Sequence, residues 1–140
     1  MTIFYSMPNQ IINPPELVKP VGYAHAVATT GGKTVYLAGQ VSFDQQGNVV
    51  HTGDMVKQFE QALRNLQITM RAAGGEMTDI VKLNLFVKSR DMYRDNLKEI
   101  GRVYREYFGK HFMAMTLVEV TSLFEDEVLL EIEGIAVIDR

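Results

Sequence analysis

The sequence predicts an α+β domain in which two helices cover one face of a mixed sheet, in the order βββαβαββ. Three observations carry this expectation. Apolar residues recur at helical spacing over 55–73 and 92–108, while the flanking segments alternate in twos as strands do. Glycine pairs and polar turns mark the boundaries between them. With 140 residues, 46% hydrophobic and 22% charged, the chain forms one domain (1–140) long enough to bury a core.

All four prolines (Pro8, Pro14, Pro15, Pro20) fall in the first twenty residues, which read as an extended lead-in. Strands are expected over 25–29 and 34–41 as a hairpin around Gly31-Gly32, since glycine reaches the positive φ of tight turns. A turn at Asp44-Gln-Gln-Gly47 leads to a short third strand at Val49-Val50. Asp54 supplies an acceptor for the first amides of a helix. Met55, Phe59, Ala62, Leu63, Leu66, Met70 and Ala73 lay one apolar stripe along it, and Gly74-Gly75 ends it. Over 80–88, Val81, Leu83, Leu85 and Val87 point one way and Lys82, Asn84, Phe86 and Lys88 the other. The second helix, 92–108, carries Tyr93, Leu97, Ile100, Tyr104 and Phe108 on its core side. Strands over 116–122 and 128–138 close the domain. The remaining sheet face is also substantially apolar, so oligomerisation is the expected way to cover it.

Composition excludes several functions. A net charge of −3 argues against a nucleic-acid binder, which needs a basic face. Arg90, Arg94, Lys98 and Arg102 form a basic stripe on a helix, but Asp91, Asp95 and Glu99 run beside them and Glu106 follows Arg102 by one turn. That pattern reads as an ion-paired, solvated face. No apolar run approaches the roughly 20 residues of a membrane span. The start Met-Thr-Ile-Phe-Tyr-Ser lacks the basic and apolar regions of a secretion leader, so a cytoplasmic location is expected. Without cysteine there is no disulfide, thiolate or Cys-based zinc site, and His25, His51 and His111 lack metal-ligand spacing. Neither a metal nor another cofactor is expected.

The chemistry-bearing segment is Leu130-Glu-Ile-Glu-Gly-Ile-Ala-Val137. Alternation puts Glu131 and Glu133 on one strand face with Leu129, Ile135 and Val137. A buried, unpaired carboxylate costs several kcal/mol, so that face meets solvent, a partner subunit or a ligand. The pattern alone leaves a wet edge strand and a pocket carboxylate suited to proton transfer both open.

Seven blocks then place the chain beside a known family. They are Gly22-Tyr-Ala-His-Ala-Val27, Tyr36-Leu-Ala-Gly-Gln-Val41, Gln58-Phe-Glu-Gln-Ala-Leu-Arg-Asn-Leu66, Ala72-Ala-Gly-Gly75, Asp79-Ile-Val-Lys-Leu83, Thr116-Leu-Val-Glu-Val120 and the closing strand. In this order and spacing they resemble the RidA/YjgF family, once labelled L-PSP endoribonucleases. The resemblance implies a chorismate-mutase-like fold assembled as a homotrimer, with small-molecule ligands in clefts between subunits. It implies hydrolysis of reactive enamines and imines to 2-oxo acids and ammonia. In such enzymes an arginine on the penultimate strand holds the substrate carboxylate, and a glutamate on the last strand positions the attacking water.

Carried over residue by residue, the glutamate falls on Glu131 and a pocket tyrosine on Tyr23. A Gly-Gln pair falls on Gly39-Gln40, with Ala38 where a small hydroxyl residue is common. The arginine position holds Met115, in Met113-Ala-Met115-Thr, and an asparagine position holds Gly101. Leu117 completes the expected ligand-binding set with Tyr23, Met115, Gly101, Ala38 and Gln40. The carboxylate clamp is thus replaced by an apolar, adaptable side chain. Arg102, Arg105 and His25 are the cations able to substitute for it, although Arg102 and Arg105 read as surface groups. The expectation is a deaminase-type hydrolase whose substrate is not a simple 2-imino acid, with Glu131 and Tyr23 facing Met115 and Gly101 of a neighbouring subunit. A non-catalytic ligand-binding trimer is the alternative, and an endoribonuclease, without a histidine pair or basic surface, ranks last.

Overall fold

The computed structural model describes residues 9–140, so Pro8 and the start of the lead-in lie outside the described residues. A small sheet pairs β1 (Gln10–Ile12) with β2 (Ala26–Ala28). The main sheet holds β3 (Lys33–Gln40), β4 (Ile80–Val87), β5 (Ala114–Glu119) and β6 (Leu130–Ile138) in the order β3-β6-β4-β5. Its pairs are antiparallel except β4 with β5, which run parallel. Parallel neighbours need a long crossover. Helices α2 (Arg90–Asp95) and α3 (Leu97–Phe108) supply it, and α1 (Met55–Ala72) packs beside α3.

Helix α1 forms for the reasons its sequence gives. The Asp54 carboxylate accepts the Lys57 amide at 3.0 Å, and Phe59, Ala62, Leu63, Leu66 and Met70 are buried on one stripe. Gly74, at φ 87°, turns the chain out of the helix where a side chain would be strained. The stripe meets Leu83, Leu85 and Val87 of β4 and Leu130, Ile132 and Ala136 of β6 in one core. Within that core Gln58 is fully buried. Its Nε2 donates to the carbonyls of His51 (3.2 Å) and Glu127 (3.0 Å), and its Oε1 accepts the Leu129 amide at 2.8 Å. One side chain therefore fixes the entry into both α1 and β6.

Several local expectations are corrected. The glycine pair does not close a hairpin. Gly31 and Gly32 have the positive φ expected, but β2 pairs with β1 and the turn delivers β3 to β6 instead. The eight residues of β3 find a long apolar partner in β6, whereas β2 offers only three. The lead-in thus contributes a strand, and Val49 makes only an isolated bridge to Phe43. The second helix is two helices. Asn96, at φ −112° and ψ 16°, ends α2 while its side-chain amide donates to the Met92 carbonyl. That break divides the basic stripe, and the paired members are Arg90 with Asp91 and Arg102 with Glu99 and Glu106. A register shift between Ile80 and Lys82 puts Ile80 in the main core cluster, while Val81 is buried outside it. Strand β5 begins two residues earlier than expected, at Ala114, and stops at Glu119. Leu129 precedes β6 and packs against the core instead of sharing the Glu131 face.

Replacing Gln58 by leucine removes three hydrogen bonds and strands the partly buried Leu129 amide. We expect Gln58→Leu to lower stability by about 2–4 kcal/mol, read as a lower urea midpoint at unchanged slope.

Candidate functional site

The two faces of the sheet carry different chemistry. On β6, Leu130, Ile132 and Ala136 face the helices, so Glu131, Glu133 and Ile135 lie on the opposite, open face. There they align with Phe86, Asn84 and Lys82 of β4. Glu133 is satisfied by the Asn84 amide at 3.3 Å. Glu131 is half-buried and makes no hydrogen bond or ion pair among the described residues. Its place is cut into the neighbouring strand. A bulge between Leu37 and Gln40 brings Gly39 alongside, where an added Cβ would lie 2.0 Å from Glu131 Oε1 and 2.7 Å from its Cδ. Gln40, half-buried, donates to the Ala38 carbonyl at 3.3 Å, and Ala38 itself is exposed.

On the helix side a cavity of about 580 Å³ opens between α3 and β5. Its floor comes from Leu83 and Leu85 of β4 with Met115 and Leu117 of β5, and its wall from Tyr93, Ile100 and Gly101. Tyr23 reaches it because Ala24 is buried and locked to β5. The Ala24 amide donates to the Met113 carbonyl at 2.9 Å, and Ala24 bridges Ala114 in parallel. Tyr23 also meets the His25 ring edge-on at 5.4 Å. The His25 ring is engaged by the Val18 carbonyl at 2.7 Å, and His25 is not among the cavity residues.

Two further tyrosines line the cavity with different consequences. Tyr104 donates to the His111 carbonyl at 2.7 Å and stacks on Phe112, so its hydroxyl is committed. The Tyr93 hydroxyl has no partner among the described residues, and burial pushes its pKa up to about 12, so it stays a donor at neutral pH. Arg105, read from the sequence as a surface group, is exposed but borders the same cavity. Its Nη1 lies 3.3 Å from the point a Cβ on Gly101 would occupy. The i,i+4 spacing of Gly101 and Arg105 was the available signal.

Of the expected site residues, Tyr23, Met115, Gly101 and Leu117 come together within one chain. Glu131, Ala38 and Gln40 do not join them. This corrects the expected partition, in which Tyr23 accompanied Glu131. The Ala24 bridge to β5 keeps Tyr23 with Met115, and strand alternation sends Glu131 to the other face of the sheet.

This arrangement defines the class of protein. Residues 16–138 match the model of the family described as Endoribonuclease L-PSP. A 2-iminobutanoate/2-iminopropanoate deaminase of Dermatophagoides farinae is 34% identical over 94% of this chain and 98% of its own length. A 3-aminoacrylate deaminase, RutC, of Acinetobacter baylyi is 30% identical over 93% of this chain and 98% of its own. A crystal structure of YyfB, a protein of unknown function in the conserved Rid family of Yersinia pestis, superposes with TM-score 0.84 at 32% identity, covering 94% of this chain and 100% of that one. The chain belongs to the RidA/YjgF family and has its chorismate-mutase-like α+β fold.

The fit of Glu131 against Gly39 yields a direct test. Gly39→Ala should cost about 1–3 kcal/mol, because the new methyl must displace the glutamate side chain. In a Glu131→Ala background, which removes the clashing atoms, most of that cost should vanish. A double-mutant cycle by chemical denaturation reads the coupling, and additive costs would show that Gly39 has no special relation to Glu131.

Proposed function

We propose that the chain is a RidA-like hydrolase that deaminates an imine- or enamine-type metabolite other than a simple 2-imino acid. It works as a homotrimer whose subunit clefts bring Glu131 of one chain to the Tyr23–Met115 cavity of the next. The observation that carries this reading is the Glu131 carboxylate, unpartnered among the described residues, with a glycine bulge fitted to it. A fold does not usually shape a neighbouring strand around an unpaired carboxylate, because the charge loses solvation without compensation. The open face adds support for assembly, since Tyr36 is 78% and Val118 42% exposed there.

The chemistry follows from the groups. A water oriented by Glu131 adds its oxygen to the imine carbon, and the carboxylate relays the released proton to nitrogen. The carbon–nitrogen bond of the resulting carbinolamine then breaks, leaving a carbonyl compound and ammonia. The substrate is not a simple 2-imino acid because Met115 presents a thioether at the position where the family resemblance puts a cation.

In a coupled assay that generates the simple 2-imino acid of alanine with an amino-acid oxidase, wild type should be slow. Met115→Arg should raise the rate, since a charge pair of this kind is worth roughly 2–5 kcal/mol, or about 30- to several-thousand-fold in affinity. Adding Glu131→Gln should abolish the gain. Wild-type turnover that already equals that of Met115→Arg would contradict the missing-clamp argument, and tight ligand binding without turnover in either would favour a binding protein.

A further inference from the structure

The cations of α3 are not equivalent. Arg102 sits between Glu99 and Glu106 and is neutralised by them. Arg105, less than one turn on, has no ion pair or hydrogen bond among the described residues. Its guanidinium lies over Gly101, where the absence of a side chain leaves room beside the cavity. Lys110 borders the same mouth, and no aspartate or glutamate lines the cavity among the described residues. On the helix wall the Tyr93 hydroxyl is a further donor with no hydrogen-bond partner among the described residues. Tyr23 adds a second phenol hydroxyl at the edge, and the sheet side is apolar, with Leu85, Met115 and Leu117.

We infer that this cavity binds a monocarboxylate with an aromatic or branched apolar body, its carboxylate held by Arg105 and its body against Met115 and Leu117. A guanidinium with no partner at the mouth of an apolar cavity selects an anion, and its fork matches a carboxylate. A volume of about 580 Å³ within one chain is in the range of small-ligand sites and has room for a body larger than a two- or three-carbon acid. The clamp has in effect moved from the sheet floor to the helix wall, exchanging the places of charge and apolar body. The inference rests on the proposed deaminase reading in taking this cavity as the substrate site. It explains why that substrate is larger than a simple 2-imino acid.

The test reads binding alone, by calorimetry with 3-phenylpropionate, its amide 3-phenylpropionamide and acetate. Wild type should bind the acid at least about tenfold more tightly than the amide, with acetate weaker still. Arg105→Gln should bring the acid down to the affinity of the amide, while Arg102→Gln leaves all three unchanged. Arg105 is exposed, so the fold should survive, and circular dichroism confirms that each variant is folded. Equal affinity for acid and amide, no effect of Arg105→Gln, or no binding of the acid at millimolar concentration would each overturn the inference. Because no turnover enters, Arg105-dependent binding without Glu131-dependent hydrolysis would sink the deaminase reading and leave this one standing.

Discussion

Strand β6 must satisfy opposite demands on its two faces, and the rest of the molecule depends on that. It is an inner strand, hydrogen-bonded to β3 on one side and β4 on the other. One face buries Leu130, Ile132 and Ala136 against α1 and α3, which fixes its register: a slip of one residue would drive two carboxylates into the core. Glycine makes the close approaches possible. An added Cβ on Gly134 would lie 2.6 Å from the Lys82 carbonyl of β4. At Gly39 it would meet the Glu131 carboxyl. The same strand that closes the hydrophobic core therefore presents a carboxylate on the far side of the sheet.

The sheet acts as a partition. On the helix side, the cavity depends on α3 standing off β5 and on the Ala24 bridge that lays Val21, Gly22 and Tyr23 along its edge. On the open side, Glu131 waits beside the β3 bulge. No single chain unites the two in this geometry, and in the proposed trimer the neighbouring subunit does so. The site then exists only in the assembly, which couples activity to oligomerisation. Gln58 links these parts, since its three hydrogen bonds set where both α1 and β6 begin.

Much of this was legible in the sequence because it is locally encoded. The Asp54 cap, the stripe from Met55 to Met70 and the alternation from Leu83 to Val87 are patterns of period 3.6 and 2, and they form where they are written. What was not legible is non-local. Nothing within a few residues of Gly31-Gly32 says that β3 will leave β2 for a strand a hundred residues later. The break at Asn96 turns on one side-chain bond to the Met92 carbonyl, and the bulges at Leu37–Gln40 and Ile80–Lys82 depend on what lies across the ladder. For the site, Glu131, Tyr23, Met115, Gly101 and Leu117 were named from motif positions, but their division between sheet faces required strand order. Arg105 was named only beside Arg102 and His25 as an alternative cation, because in a run of alternating charges only the fold reveals which one lacks a partner.

The central claim is that Glu131 of one chain meets the Met115 cavity of another. Because the chain has no cysteine, a Glu131→Cys, Met115→Cys variant carries only those two thiols. Unlabelled and 15N-labelled forms would be mixed, refolded together at micromolar concentration and treated with a short bis-maleimide, then digested for mass spectrometry. The account predicts linked peptides joining residues 115 and 131 that carry one labelled and one unlabelled half. Linked 115–131 peptides in which both halves always share one label, or no such linkage at all, would contradict it.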